Sequence, residues 1–243
     1  MSAKPRGSYG IDAPYVPILS AVGAVALVVA AILSSGTSQI LYLIGALLLF
    51  AQAVIYLRTT LIGKFACWRR VLTELQLDGD ESLLDVGCGR GMVLMIAAPL
   101  LPTGRLVGVD IWSSHDQSGN SVAAAESNAA ANSVADRVRF ETADMTDMPF
   151  EDESFDVVTA SVSIHNIKDP AMRARAIAEI YRVTRPGGRI RIVDLAHADE
   201  YRENLASLGA VEPAVAGLGL DGMWGNPFYA SKLVSASKPE AAS

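Results

Sequence analysis

Two apolar runs dominate the first quarter of the chain. From Tyr15 to Leu33 no side chain is charged, and from Ile40 to Leu57 the only strongly polar member is Gln52. At 1.5 Å rise per residue each run reaches roughly 27 to 29 Å as a helix, close to the ~30 Å hydrocarbon core of a bilayer. Backbone groups in lipid must be satisfied within their own segment, so the pattern predicts a two-helix transmembrane hairpin over 15–57, turned by the stretch Ser34–Gln39. Gly23, Ala26, Ala30 and Ala31 on the first helix, and Gly45, Ala46 and Ala53 on the second, supply small residues for close packing within the hairpin. From residue 58 to 77 the chain becomes basic, and Phe65, Trp68, Val71, Leu72 and Leu75 recur at mainly helical spacing. This connector fits a helix lying at the membrane interface and a helix packed on the next domain equally well.

Beyond residue 78 the apolar runs shorten and are bounded by Gly, Asp or Pro. Leu83–Val86, Arg105–Val109, Val138–Glu141, Phe155–Ala160 and Arg189–Val193 read as buried strands. Helices lie between them: Met92 to about Leu100, Ser121–Asn132, and a segment from Asp169-Pro170, an N-cap with proline at the first helical position, to just before Pro186-Gly187-Gly188. A further helix runs over Asp199–Leu208 and is closed by Gly209. Alternation of this kind implies an α/β fold, a Rossmann-like, mostly parallel sheet flanked by helices, with ligands beyond the C-terminal ends of its strands. The domain is expected over 78–236, with tails at 1–14 and 237–243.

Charge and composition narrow the partners. Hydrophobic residues make up 51% of the 243, charged residues only 19%, and the net charge is −6. Residues 1–80 hold six of the 20 basic groups and four of the 26 acidic ones, so the remainder is an acidic domain and no nucleic-acid partner is expected. Lys4 and Arg6 precede the first apolar run, the turn has no cation, and Arg58, Lys64, Arg69 and Arg70 follow the second. Both termini and the globular domain are therefore expected on the cytoplasmic side of a membrane, with lipid contacting 15–57. A cleaved signal peptide and a buried hairpin of a soluble protein are the disfavoured alternatives. Two cysteines, Cys67 and Cys88, support neither a disulfide framework nor a four-ligand zinc site, and the histidines show no metal spacing, so no metal is expected. Cys67 reads as a small apolar residue, with palmitoylation as its other reading.

The chemistry lies just after the first predicted strand. In Asp85-Val86-Gly87-Cys88-Gly89-Arg90-Gly91 three glycines in five residues let backbone approach a ligand closely, and Asp110 ends the next strand where an acid can take two ribose hydroxyls. Asp144 follows the third strand. A dinucleotide site favours G-x-G-x-x-G, whereas here the third glycine comes one residue early; Asp85 beside the loop suits a ligand with an ammonium group better than a pyrophosphate.

Five blocks in order resemble the class I S-adenosylmethionine-dependent methyltransferases of small molecules: Leu83–Gly91, Val107–Asp110, Ala143–Met145 with Met148–Phe150, Ser154–Val158, and Arg185–Arg189. The resemblance spans about Asp80 to Val234 and leaves the hairpin outside it. It implies S-adenosyl-L-methionine as cofactor and a seven-stranded sheet, with Val211–Ala216 and Tyr229–Ser235 as an antiparallel edge. It also implies that Asp85, Gly87, Cys88, Gly89 and Gly91 hold the methionine part and that Asp110 takes the ribose. Ile111 and Trp112 would flank adenine, and Asp144 and Met145 would meet its edge. His165 and Asn166, at the rim after the fourth strand, are candidates for base and acceptor orienter, with pocket shaping and loop capping as their plainer readings. The polar stretch Ser113–Asn120 fits a cover over the cofactor and a solvated loop equally. Gly217–Pro227 fits both an acceptor-pocket wall and a long turn between edge strands. The resulting expectation is a membrane-anchored methyltransferase acting on a small or lipid-like acceptor. An NAD(P)-dependent oxidoreductase and a non-catalytic membrane scaffold are the alternatives.

Overall fold

The computed structural model describes residues 4–113 and 119–241. Helix α1 (Tyr15–Ile32) and helix α2 (Thr37–Arg58) form the N-terminal hairpin. The turn is shorter than expected, because Thr37, Ser38 and Gln39 already belong to α2, and Gly36, just ahead of it, takes the positive φ of 65 that glycine permits. The helices run antiparallel: a Cβ on Gly23 would lie 2.9 Å from Leu49, one on Gly45 would lie 2.9 Å from Leu27, and Gln52 Nε2 donates to Ser20 Oγ at 3.1 Å. The seam buries Ala24, Ala31, Ala46 and Ala53, whereas Ala26 faces outward, since the seam follows every third or fourth residue and Ala26 falls between its turns. Away from the seam the pair exposes apolar side chains, such as Leu19 at 65%, Leu33 at 81% and Leu47 at 66%.

Helix α2 does not stop at Arg58. Thr59–Gly63 continue it as a π-helical stretch into helix α3 (Lys64–Glu74). Phe65, Trp68, Val71 and Leu72 are buried at 0–1% exposure, so this part of the connector packs on the globular domain. Cys67 is buried as well, and desolvation pushes its thiol up to about 12, which leaves it a packing residue and disfavours acylation there.

The domain alternates strand and helix: β1 (Ser82–Val86), α4 (Met92–Ala97), β2 (Arg105–Asp110), α5 (Val122–Ala131), β3 (Val138–Thr142), β4 (Phe155–Ser161), α6 (Pro170–Val183), β5 (Thr184–Asp194), α7 (Ala198–Ser207), β6 (Val211–Gly217) and β7 (Lys232–Ser237). The seven-stranded sheet has the order β3-β2-β1-β4-β5-β7-β6, with β7 antiparallel to both its neighbours, so it is mixed rather than wholly parallel. The expected start of α6 is present, as Asp169 accepts from Ala171 N–H with Pro170 following it. Pro186-Gly187-Gly188 falls inside the irregular start of β5, and β7 runs to Ser237, two residues past the expected strand end at Ser235. Successive strand residues point to opposite faces: Leu83 packs with Leu72, Trp68 and Leu94 on one side, and Leu84 packs with Ile177, Ile180 and Tyr201 on the other.

Residues 4–12, ahead of the hairpin, are not a loose tail. Arg6 N–H and Ser8 N–H donate to Asn132, the C-cap of α5, and to Asn128 within it, both at 2.9 Å, and Tyr9 packs edge-on against Phe65 with centroids 5.4 Å apart. Residues 4–12 thus form a strap from α5 across α3 to the base of the hairpin.

Candidate functional site

The order reversal between β1 and β4 opens a crevice beyond the strand ends, where a doubly wound sheet binds ligands. A cavity of about 380 Å³ lies there. Its floor is the loop after β1. Gly87 sits at φ 69, and a Cβ on it would come 2.3 Å from that of Ser163, so only glycine fits this passage. The loop is tied to the end of β2: Gly87 and Cys88 N–H donate to Val109 O, and Gly89 N–H donates to Asp110 Oδ2 at 2.8 Å. Asp110 Oδ1 accepts from the N–H of Trp112 and from Asn120 Nδ2, so both carboxylate oxygens are oriented beside the cavity.

The cavity wall brings together Gly87, Cys88, Gly89, Asp110 and Ile111, and across from them Asp144, Met145 and Asn166. Gly91 lies just past the wall at φ 75, where it starts α4. Asp144 Oδ1 accepts from both the N–H and the hydroxyl of Thr146 at 2.8 Å, an Asx turn that fixes the loop after β3. Trp112 is not on the wall. Its indole donates to Thr142 Oγ1 at 2.7 Å and meets Phe140 edge-on, which turns it toward β3. Cys88 contributes backbone: its sulfur packs against Gly108 and Leu94, and burial holds the thiol well above its usual range.

Asp85 lies beneath this loop, fully buried. Its Oδ1 accepts from Thr159 Oγ1 at 2.7 Å, and Oδ2 has no hydrogen-bond partner among the described residues. Burial raises the carboxyl to about 7, the Thr159 hydroxyl opposes the shift, and the nearby Asp110 charge adds to it. A buried carboxylate oxygen without a donor is costly, and a ligand ammonium group reaching it would remove that cost. The donor set therefore fits a cofactor with an ammonium end and a ribose.

A second cavity, about 440 Å³, shares Asp12, Val162, Asn166 and Trp224 with the first. His165 lines it from a single 3₁₀ turn, Ile164–Asn166. Its ring Nδ1 lies 2.5 Å from Asp194 Oδ1, while its backbone N–H donates to Asp194 Oδ2 at 3.0 Å. Asp194, at the end of β5, is 1% exposed and also accepts from Leu195 N–H and the Tyr201 hydroxyl. Val162, a β-branched residue at φ 52, turns the chain here, so strain is concentrated on the shared rim.

Two wall residues, Asp12 and Lys64, lie outside the motifs that sequence reading selects. Asp12 Oδ2 accepts from Lys64 Nζ at 2.7 Å and Thr60 Oγ1 at 2.6 Å, and both Asp12 and Lys64 line the first cavity. Trp224 comes from the stretch between β6 and β7, which docks on the hairpin base through an Arg58–Asp221 ion pair, Thr59 Oγ1 to Met223 O, and Gly225 against Gln52. That stretch is a long turn between the edge strands that also walls the cavities, both of them through Trp224. The candidates at 114–118 within the Ser113–Asn120 insertion lie outside the described residues.

Comparison with known proteins agrees with this geometry. Residues 84–192 match the family model described as a methyltransferase domain. Over 131 residues the chain is 33% identical to a ubiquinone/menaquinone biosynthesis C-methyltransferase of Geotalea daltonii, covering 53% of this chain and 52% of that protein. It is 32% identical over 131 residues to a sterol 4-C-methyltransferase of Caenorhabditis elegans, covering 54% of this chain and 36% of that one. The chain spans about half the length of the first curated relatives it matches. Its fold is shared with geranyl diphosphate methyltransferase solved in complex with SAM, at a TM-score of 0.58 and 18% identity over 78% of this chain and 90% of that one. Residues 84–192 are thus similar to methyltransferase domains, over somewhat less than half of the chain.

Proposed function

We propose that the protein is a membrane-anchored methyltransferase that moves a methyl group from S-adenosylmethionine to a small, lipophilic acceptor. The observation that carries the reading is the cavity at the β1–β4 reversal, with the oriented Asp110 carboxylate on its wall and the unpartnered Asp85 oxygen beneath its floor. Bound there, S-adenosylmethionine supplies an electrophilic methyl on a sulfonium, whose leaving group is a neutral thioether. Asp85 receives the ammonium charge, the Gly87–Gly91 loop admits the methionine chain, and Asp110 accepts from the ribose hydroxyls. Ile111 covers one face of adenine, and Asp144 with Met145 borders its edge; Trp112, facing β3, supports the loop from behind.

The acceptor takes the second cavity. His165, its ring held by Asp194 at Nδ1, takes the acceptor proton as the acceptor's electron pair attacks the methyl carbon. Asp194 stabilises the resulting imidazolium, while Asn166, on the wall of both cavities, orients the acceptor. A lipophilic acceptor is supported by the relatives named for quinone biosynthesis and sterol methylation. The membrane reading rests on two helices long and apolar enough to cross, only 22% and 17% buried over their most apolar windows. Such an exposed surface is unfavourable in water. With the cations at both ends of the hairpin, the same reading puts both termini and the domain in the cytoplasm. The glycine spacing and the domain match both speak against the dinucleotide alternative.

The full chain in nanodiscs should bind S-adenosylmethionine and S-adenosylhomocysteine saturably and ignore NAD, and Asp110→Ala or Asp144→Ala should weaken binding about ten- to a hundredfold. Absence of binding by the folded wild type overturns the reading. Binding without methylation of any component of a whole-membrane extract restores the scaffold alternative.

A further inference from the structure

The second cavity is built half from the methyltransferase domain and half from the hairpin, an arrangement an anchor alone does not require. Tyr15, Val16, Gln52 and Tyr56 form one wall, and His165 and Asn166 form the opposite one. The hairpin is held in place rather than loosely tethered. Asp12 bonds Thr60 and Lys64, Tyr56 hydroxyl donates to Asp12 O at 2.8 Å, and Trp68 Nε1 donates to Ser161 Oγ at 2.8 Å beside the first cavity. The π-helical stretch over Thr59–Gly63 buries Thr59, Thr60 and Gly63 together against Asp12 and the loop between β6 and β7, as insertions of this kind do at functional sites.

The lining sets the chemistry of the occupant. Tyr56 and Trp224 meet edge-on at 5.4 Å, and Tyr15 and Tyr229 add two more rings. Polar groups are set around these rings: Asp12 and Gln52 at the hairpin base, His165 and Asn166 on the domain, and Asn226 on the loop between β6 and β7. Aromatic walls with separated hydrogen-bonding groups suit a flat ring bearing hydroxyl groups. The loop that completes the wall exposes Phe228 at 94%, Tyr229 at 65% and Leu220 at 66%, next to the hairpin base, where interfacial aromatics meet headgroups.

We infer that the hairpin base is part of the acceptor site, and that the acceptor is a ring-headed amphiphile, a hydroxylated aromatic ring with an apolar tail. It enters from the bilayer between the hairpin and the 218–230 loop, so its head lies between Gln52 and His165 while its tail stays in lipid. This rests on the proposed function and adds the acceptor class and the hairpin's share in binding it.

The test uses the full chain in nanodiscs and a decyl hydroquinone carrying a photoreactive azide on the ring. Wild type should be labelled at 162–166 or at Trp224, with protection by unlabelled decyl hydroquinone. Gln52→Leu, which removes the hairpin's polar contact, and Val16→Trp, which fills the cavity, should each lower labelling about tenfold while leaving S-adenosylmethionine affinity within about twofold. Retained cofactor affinity shows that a variant is folded. Labelling unchanged in both variants, or confined to residues outside the cavity, overturns the inference. Loss of cofactor binding by the wild type would instead overturn the methyltransferase reading, and the two failures are read independently.

Discussion

Asp85→Asn exchanges a buried carboxylate for a neutral group of the same shape, and its two consequences have opposite signs. In the free protein the carboxyl titrates at about 7, because burial removes it from water and the Thr159 hydrogen bond only partly compensates. An ammonium group binds the ionised form, so the cofactor dissociation constant should scale as one plus the ratio of protonated to ionised carboxyl. That factor is roughly 1.3 at pH 7.5 and roughly 33 at pH 5.5, so wild-type affinity should weaken about 25-fold between them, or about 2 kcal/mol. The upper limit stays below the range of about 7.7 to 8.0 in which an α-amino group itself titrates. Of the titratable neighbours, Cys88 stays a thiol throughout, and Asp110 acts through its charge.

In Asp85→Asn the slope should vanish and affinity at pH 7.5 should fall about ten- to a hundredfold. Stability moves the other way. The folded carboxyl titrates above the unfolded one, so its contribution is complete only below the unfolded value of 3.8 and is lost as pH rises through about 7. Without cofactor, Asp85→Asn should melt above wild type at pH 8, and the gap should close as pH falls. Calorimetric titration across pH, with thermal unfolding of the same samples, reads both effects. A wild-type affinity flat between pH 5.5 and 7.5, or an equal slope in Asp85→Asn, would refute the argument that this carboxylate meets the ammonium.

Two further outcomes follow from buried side chains. Trp68 is 1% exposed between the connector and the sheet and donates to Ser161, so Trp68→Ala should cost about 3 to 5 kcal/mol in denaturant unfolding, and a loss below about 1 kcal/mol would refute its role as the bolt between hairpin and domain. Asp194→Asn should lower kcat about 10²- to 10⁴-fold and change the pH–rate profile while S-adenosylmethionine affinity stays within about twofold; an unchanged profile would reduce Asp194 to a structural residue.

The strand–helix alternation, the glycine loop and the acids ending β2 and following β3 were legible because each is a local signal. Buried strands need short apolar runs, a tight passage near backbone needs glycine, and α6 announces itself through Asp169-Pro170. The hairpin was legible for the same reason, since two apolar runs and the glycines between them lie within 50 residues. Trp112 marks the limit of such reading: the family resemblance implied a ring over adenine, but the hydrogen bond to Thr142 and the edge-on contact with Phe140 turn it away.

What only the tertiary structure decided are contacts between residues far apart in the chain. Nothing local in Asp12, Lys64 or Gln52 distinguishes a wall residue from a surface one, and Asp194 reads as an ordinary strand end until β5 places it beside His165. Those groups meet because helix α2 continues unbroken through Gly63 into α3 and because the sheet reverses order between β1 and β4, bringing the hairpin base over the strand ends. Periodicity records which face of an element is buried. Which distant element covers that face depends on chain closure over tens to more than a hundred residues, and no single stretch of sequence encodes it.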